Sequence, residues 1–297
     1  MVDITFLGTS DSIPTAERNP TSVLFTYGKE NILVDCGEGT QRQIRKAKLN
    51  PCKITRILIT HWHGDHVLGI PGLLQTLALS GYNKTLFIYG PKGTTQFMKN
   101  LFKTFLFRER NKIKIEEVEG KFLETDDFFI EAKAMTHGVP CNAYSFVKKG
   151  KRRINKGKLK KSKLPLGPLL KKLKEGKDVT YNGKKYLSKN LTFGEENKKI
   201  SFVFDTSAEK GIVPFVKNSD LIISEATFSS ELEERAKKHK HLTARQAGEI
   251  AKKSKSKKLI LTHISQRYGK DPKKILSDAK KVFKNSFLVK DLDVVEI

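Results

Sequence analysis

Arg56-Ile57-Leu58-Ile59-Thr60-His61-Trp62-His63-Gly64-Asp65-His66 is the stretch that decides how this chain reads. An apolar run of buried-strand type ends abruptly in four potential metal ligands within six positions: His61, His63, Asp65 and His66. Imidazole and carboxylate are the groups that zinc-type cations take where thiolates are absent. Alternate spacing aims His61 and His63 at one ion, and a bend at Gly64 lets Asp65 and His66 reach a second. A strand end that needs only capping does not carry four ligand residues. The motif implies a hydrolytic metal site.

Working outward, other strand-like runs end in the same chemistry. Lys258-Leu259-Ile260-Leu261-Thr262-His263 echoes the run into His61, and Phe202-Val203-Phe204-Asp205 echoes Ile32-Leu33-Val34-Asp35. His137 follows a strand-like segment at 128–135 and precedes Gly138-Val139-Pro140. Such echoes suggest two halves packed face to face, with ligands projecting at one rim. Further β-rich runs fall at 2–8, 21–27, 31–35, 54–61, 85–89, 113–118, 143–148, 200–205, 221–225 and 258–263. Helical patterns fit 72–80, 92–105, 230–238, 243–254 and 272–283, the fourth opened by a capping box of Thr243 and Gln246. Strands with helices between the later ones predict sheets covered by helices, an α/β layered domain.

The chain has 297 residues, 38% of them hydrophobic, which is enough for a sizeable core. It shows no apolar stretch of membrane-spanning length and no basic, signal-like start, so a cytoplasmic protein with no membrane partner is expected. Three scattered cysteines, Cys36, Cys52 and Cys141, form no Cys-x-x-Cys pair and argue against disulfides or thiolate zinc sites. Net charge is the outlier: 57 Lys+Arg against 32 Asp+Glu gives +25. Residues 148–177 alone hold 14 Lys/Arg and one acid, Glu175. A charge this local points to a polyanion-binding element, nucleic acid first. It sits in a segment, 148–186, where the strand rhythm breaks. Ligand candidates lie beyond it, so the segment reads as an arm inserted into a single domain spanning 1–297.

Taken with their surroundings, these residues resemble the tRNase Z (ribonuclease Z) family of the metallo-β-lactamase superfamily. The carrying phrases run nearly end to end: Leu7-Gly8-Thr9, Pro14 through Asn19, Asp35-Cys36-Gly37-Glu38-Gly39-Thr40-Gln41, the His61–His66 motif, and Gly69-Ile70-Pro71-Gly72-Leu73-Leu74. Tyr89-Gly90-Pro91-Lys92-Gly93, Pro165 to Pro168, Glu225-Ala226-Thr227-Phe228, His241-Leu242-Thr243 and Thr262 to Tyr268 complete them. The resemblance implies a four-layer αββα sandwich and an endoribonuclease that removes the 3′ trailer from precursor tRNA, leaving a tRNA 3′-hydroxyl and a 5′-phosphate trailer. It assigns His61, His63 and His137 to one zinc, Asp65, His66 and His263 to a second, and Asp205 as the bridge; Mn²⁺, Fe²⁺ or Co²⁺ fit the same ligands. Asp65 would also orient the attacking water, and His241, held by Glu225, would protonate the leaving oxygen. The family works as a homodimer in which one subunit's arm grips tRNA that the other cuts. RNA contacts are thus expected from Arg18, Arg267, Lys151, Arg152, Arg153, Lys158, Lys160, Lys161, Gly167 and Pro168.

Three positions depart from the family pattern. Ala16 stands where the N-terminal loop usually has lysine, Phe204 precedes Asp205 in place of glycine, and Ser224 replaces the histidine before Glu225. The second predicts a turn made without glycine's freedom, and the third an altered proton relay. Two rivals stand beside this reading: a lactonase, thioesterase or sulfatase on the same fold, and an RNA-binding protein with a structural zinc site. The first needs no basic arm. The second fits poorly with seven His/Asp ligands and no cysteine among them.

Overall fold

Two seven-stranded sheets account for the apolar runs, as described for residues 1–107, 112–269 and 271–297 of a computed structural model. In the first sheet the strands lie in the order Val294–Glu296, Asp3–Gly8, Ser22–Tyr27, Glu30–Val34, Arg56–Leu58, Thr85–Gly90, Lys112–Glu117. In the second the order is Ser286–Leu288, Leu259–Thr262, Leu221–Glu225, Lys198–Val203, Cys141–Lys148, Phe128–Met135, Gly120–Glu124. Each sheet is antiparallel at one end and parallel at the other.

Alternation along the strands sends one set of side chains between the sheets. There Phe25 meets Phe146 at 5.2 Å and Phe202 at 5.4 Å between ring centroids. The opposite faces take helices. Ile44, Leu73, Leu77 and Met98 come from Thr40–Lys46, Ile70–Leu79 and Thr94–Thr104 and cover the first sheet. Ala247, Ala251, Ile275 and Ala279 come from Ala244–Lys253 and Lys273–Lys280 and cover the second. The result is helix, sheet, sheet, helix. Burying one such Phe or Leu stabilises by roughly 1.5–3 kcal/mol.

Several elements differ from their sequence patterns. The strand expected at 54–61 keeps ladder pairing only over Arg56–Leu58, because Thr60 donates its N–H to Asp35 Oδ1 at 2.7 Å instead. Helix Thr40–Lys46 carries no long periodic stripe and was invisible to pattern; it begins behind Gly39 at φ 76°. The short edge strands Gly120–Glu124 and Val294–Glu296 are charged and half-exposed, so they too lack a clear alternation. Helix Ala244–Lys253 starts with the capping box read from Thr243 and Gln246. Among the described residues no helix is long and apolar enough to cross a membrane.

The basic segment is ordered and carries its own small core. Strand Arg152–Ile154 pairs with Thr192–Gly194, Val179–Tyr181 pairs with Lys184–Tyr186, and helices Lys156–Ser162, Leu169–Lys174 and Ser188–Leu191 lie between. Leu159, Leu164, Leu173, Val179 and Leu191 pack inside it. Its return leg therefore runs past 186 to Glu195, whose N–H donates to Lys151 O at 3.0 Å. At Gly150 a Cβ would lie 1.9 Å from Glu195 O, so the two legs pass in contact only because residue 150 has no side chain.

Candidate metal centre and active site

The ligand candidates meet where strand ends of the two sheets face each other. His61 lies in the loop after Arg56–Leu58, His63 caps the short helix Gly64–Val67, and Asp65 and His66 sit within that helix. His137 follows Phe128–Met135, Asp205 follows Lys198–Val203, Glu225 ends Leu221–Glu225, and His263 follows Leu259–Thr262. Asp35, Asp205 and His263 all take positive φ, at 57°, 25° and 57°. Each such turn in a non-glycine residue costs roughly 1–3 kcal/mol; Asp205 and His263 line the cleft, and Asp35 sits behind it against Thr60 and His66.

Three groups of ligand-type atoms result, each with all members within 4.8 Å of one another: two share Asp205, and the third is Glu225, His241 and His263. In the first, His61 Nε2 lies 3.0 Å from His63 Nδ1, His137 Nε2 lies 3.2 Å from His63 Nδ1, and Asp205 Oδ2 is 3.6 Å from His61 Nε2 and 3.8 Å from His137 Nε2. In the second, His66 Nε2 lies 3.2 Å from Asp65 Oδ2, and Asp205 Oδ1 is 3.1 Å from His263 Nε2 and 3.5 Å from His66 Nε2. Asp205 presents one oxygen to each of these two groups.

A divalent metal fits this arrangement. His66 Nε2, His263 Nε2 and Asp205 Oδ1 are fully buried with no hydrogen-bond partner, a costly condition unless a cation completes them. The outer ring nitrogens agree. Thr60 Oγ1 donates to Asp35 Oδ2, so it accepts from His61 Nδ1 at 3.1 Å. His66 Nδ1 donates to Asp35 Oδ2 at 2.7 Å, and His137 Nδ1 donates to Lys240 O at 3.0 Å. Thr227 donates to Glu225 Oε2 at 2.7 Å, which leaves its oxygen to accept from His263 Nδ1 at 2.8 Å. With each of those protons on Nδ1, four Nε2 lone pairs point inward. Burial alone would favour the neutral acid at Asp205. The ring of His263, His66 and His241 outweighs it and holds the carboxyl well below its ordinary range.

Beside the metal groups stands a proton-transfer pair. His241 lies between helices Glu233–His239 and Ala244–Lys253, and its Nδ1 is 3.0 Å from Glu225 Oε2. Glu225 is itself pinned by Thr206 N–H at 2.7 Å and by Thr227. Burial favours the neutral ring, but the carboxylates of Glu225 and Asp205 overcome it and raise the His241 pKa to about 9. His241 lines a cleft of about 530 Å³ together with His63, Asp65, His137, Asp205 and His263, and Glu225 lies buried behind it.

Not every expected contact residue reaches this cleft. Arg267 does: its Nε donates to Ser265 Oγ at 3.0 Å and its guanidinium lies 5.3 Å from the Phe228 ring centroid. Arg18 does not line it. It is 9% exposed, and its Nη1 donates to Thr9 Oγ1 at 2.6 Å and Val289 O at 2.8 Å, tying the N-terminal loop to the C-terminal turn. Phe204 needs no glycine-like freedom, because the positive φ falls on Asp205, and its ring packs on Phe202. Ser224 Oγ donates to Glu225 O at 2.9 Å and stays clear of the His241 pair. Lys151 and Arg153 pair with Asp127 and Glu195, and Arg152 Nη1 donates to Thr192 Oγ1. Lys158, Lys160, Lys161, Gly167 and Pro168 are exposed on the arm.

Four contributors lie outside the reading of the sequence: Asp35, Thr227, Arg235 and the Lys240 carbonyl. Asp35 was noticed as a strand end but not as the partner of His66. Thr227 sat unremarked in its phrase, and Arg235 lines the cleft from a helix that reads as plain surface. Asp35 was findable, since it echoes Asp205. The Lys240 carbonyl was not, since every residue has one.

Fold and site together define a metal-dependent hydrolase of the metallo-β-lactamase fold. The fold protein YhfI from Bacillus subtilis superposes with a TM-score of 0.73 at 21% identity over 100% of this chain and 99% of that one. The short form of human tRNase Z superposes with a TM-score of 0.71 at 26% identity, over 99% of each chain. A family profile described as Anti-Pycsar protein Apyc1 matches residues 2–147, which stops short of Asp205, Glu225, His241 and His263. A ribonuclease Z of Archaeoglobus fulgidus is 36% identical over 300 residues, covering 99% of this chain and 97% of its own. The chain belongs to the ribonuclease Z family.

Proposed function

We propose that this protein is the endoribonuclease that removes the 3′ trailer from precursor tRNA, acting with two zinc ions per subunit. The observation that carries the reading is the shared cleft: two ligand groups joined by Asp205 lie next to the buried His241–Glu225 pair. Bound metal supplies Lewis acidity, polarising the phosphodiester and lowering the pKa of water toward ~7. Asp65 holds its place in the second group and accepts the proton of the attacking water. His241 donates a proton to the departing 3′-oxygen, and Glu225 keeps its ring oriented and charged. Arg267, already braced on Phe228 and Ser265, steadies a neighbouring phosphate.

The arm supplies affinity for tRNA through phosphate contacts, with Lys158, Lys160 and Lys161 available for them. We read the protein as a homodimer in which each arm serves the partner's cleft, and as cytoplasmic, which its three free cysteines suit. The test pairs a trailer-bearing precursor tRNA with a lactone, each with and without chelator. Chelator-sensitive cleavage of the tRNA to a 3′-hydroxyl and a 5′-phosphate trailer is the expected result. Turnover of the lactone alone would hand the site to the rival hydrolase class, and turnover of neither would end the enzyme reading.

A further inference from the structure

The arm carries a second concavity, of about 620 Å³, that phosphate binding does not explain. Phe193 lines it and is 50% exposed on strand Thr192–Gly194, an unusual state for a phenylalanine on an otherwise lysine-rich surface. Leu166, 83% exposed, and the half-buried Leu170 complete an apolar floor. Cations ring it. Lys156 and Lys174 are exposed and form no ion pair among the described residues, while Arg153, paired with Glu195, borders the same space. The arm's small core adjoins it, with Leu159 lining both and Leu170 packed against the core, but Phe193 is not among the residues that build or flank that core.

An apolar floor inside a cationic rim matches one kind of partner: a flat base face flanked by backbone phosphates. A lipid surface would want large apolar residues interleaved along an amphipathic helix, and helix Lys156–Ser162 offers Leu159 to the arm's core instead. We infer that Phe193, with Leu166 and Leu170, is a stacking platform for an exposed base, or the outermost base pair of a stack, in the folded RNA that the arm holds. The inference rests on the tRNA-processing reading and adds a non-ionic contact to a surface otherwise read as electrostatic. Aromatic stacking on a base tolerates any sequence, because every base has a π-face, so the platform reads shape and not sequence.

The test uses the full-length protein and a precursor tRNA, with binding measured across a salt series. Phe193→Ala should weaken binding by about 5- to 150-fold, the range that losing one base–aromatic stack gives, with the slope of log affinity against log salt unchanged. Lys156→Ala should instead lower that slope by about 0.7–0.9. Phe193→Trp should keep affinity and show quenched indole emission on saturating RNA, against the background of Trp62, the chain's single tryptophan. Unchanged affinity in Phe193→Ala, a flattened slope in that variant, or an indole signal indifferent to RNA would each overturn the platform. So would a change in sedimentation with tRNA affinity intact, which would give the patch to a second copy of the chain. A wild-type protein that neither binds nor cuts precursor tRNA removes the processing reading and the platform with it. A wild type that cuts while Phe193→Ala binds equally well removes the platform alone.

Discussion

The cleft and the arm solve opposite problems with opposite means. In the cleft, His61, His66, Asp205 and His263 are buried, their rings are locked by outer hydrogen bonds, and three backbone turns are held in costly conformations. In the arm, most cations are exposed, few are paired, and a core of five buried residues only has to keep the surface in shape. The difference teaches what each chemistry demands. Metal and proton chemistry depends on atoms placed to within tenths of an ångström, which requires strain and burial. Polyanion binding depends on charge density over many ångströms, which tolerates mobile side chains.

Breaking the cleft should cost the most. Asp205→Ala removes the carboxylate that both ligand groups share, and precursor-tRNA cleavage should fall by well over the ~100-fold that loss of an outer partner gives. Metal content of the purified variant, measured by elemental analysis, should drop with it; full metal occupancy would contradict the shared role. His241→Ala should retain metal and lose about 10²–10⁴-fold in single-turnover cleavage rate, the usual share of a general acid. A variant with normal rate and changed KM would move His241 from proton transfer to substrate binding.

Smaller effects separate the regions further. Asp35→Asn preserves shape but weakens the grip on His66 Nδ1, and metal affinity by competition with a chelator should fall about 10–100-fold. On the arm, replacing Lys158, Lys160 and Lys161 together by alanine should leave metal content unchanged and reduce the salt slope of tRNA binding by roughly 2–3. An unchanged slope would mean that these three lysines touch no phosphate. A lost metal in that variant would break the separation between the two regions.

Much of the cleft was legible because its chemistry is written in residue types that have few other reasons to cluster. The six residues from His61 to His66 declared a metal, and apolar runs ending in Asp205 and His263 marked where partners would come from. The arm was legible through charge alone, which is why its content was readable and its extent was not. The return strand Thr192–Gly194 has little composition to distinguish it, and only its pairing with Arg152–Ile154 attaches it to the arm. Arg18 shows what a local pattern leaves out. An arginine in a loop near the site reads as a phosphate contact, yet the fold buries it against Thr9 and Val289.

By itself, then, the sequence determined the candidate ligands, the two-sheet rhythm and the basic segment, because burial periodicity and ligand chemistry are local properties of the chain. Tertiary structure alone decided that Asp205 faces both ligand groups, that Asp35 and Thr227 set the histidine tautomers, that Ser224 is a bystander, and that Phe193 stands exposed among cations. Each of those depends on which residues, some more than a hundred positions apart, the packed sheets bring together, and no local pattern encodes a distance between strand ends.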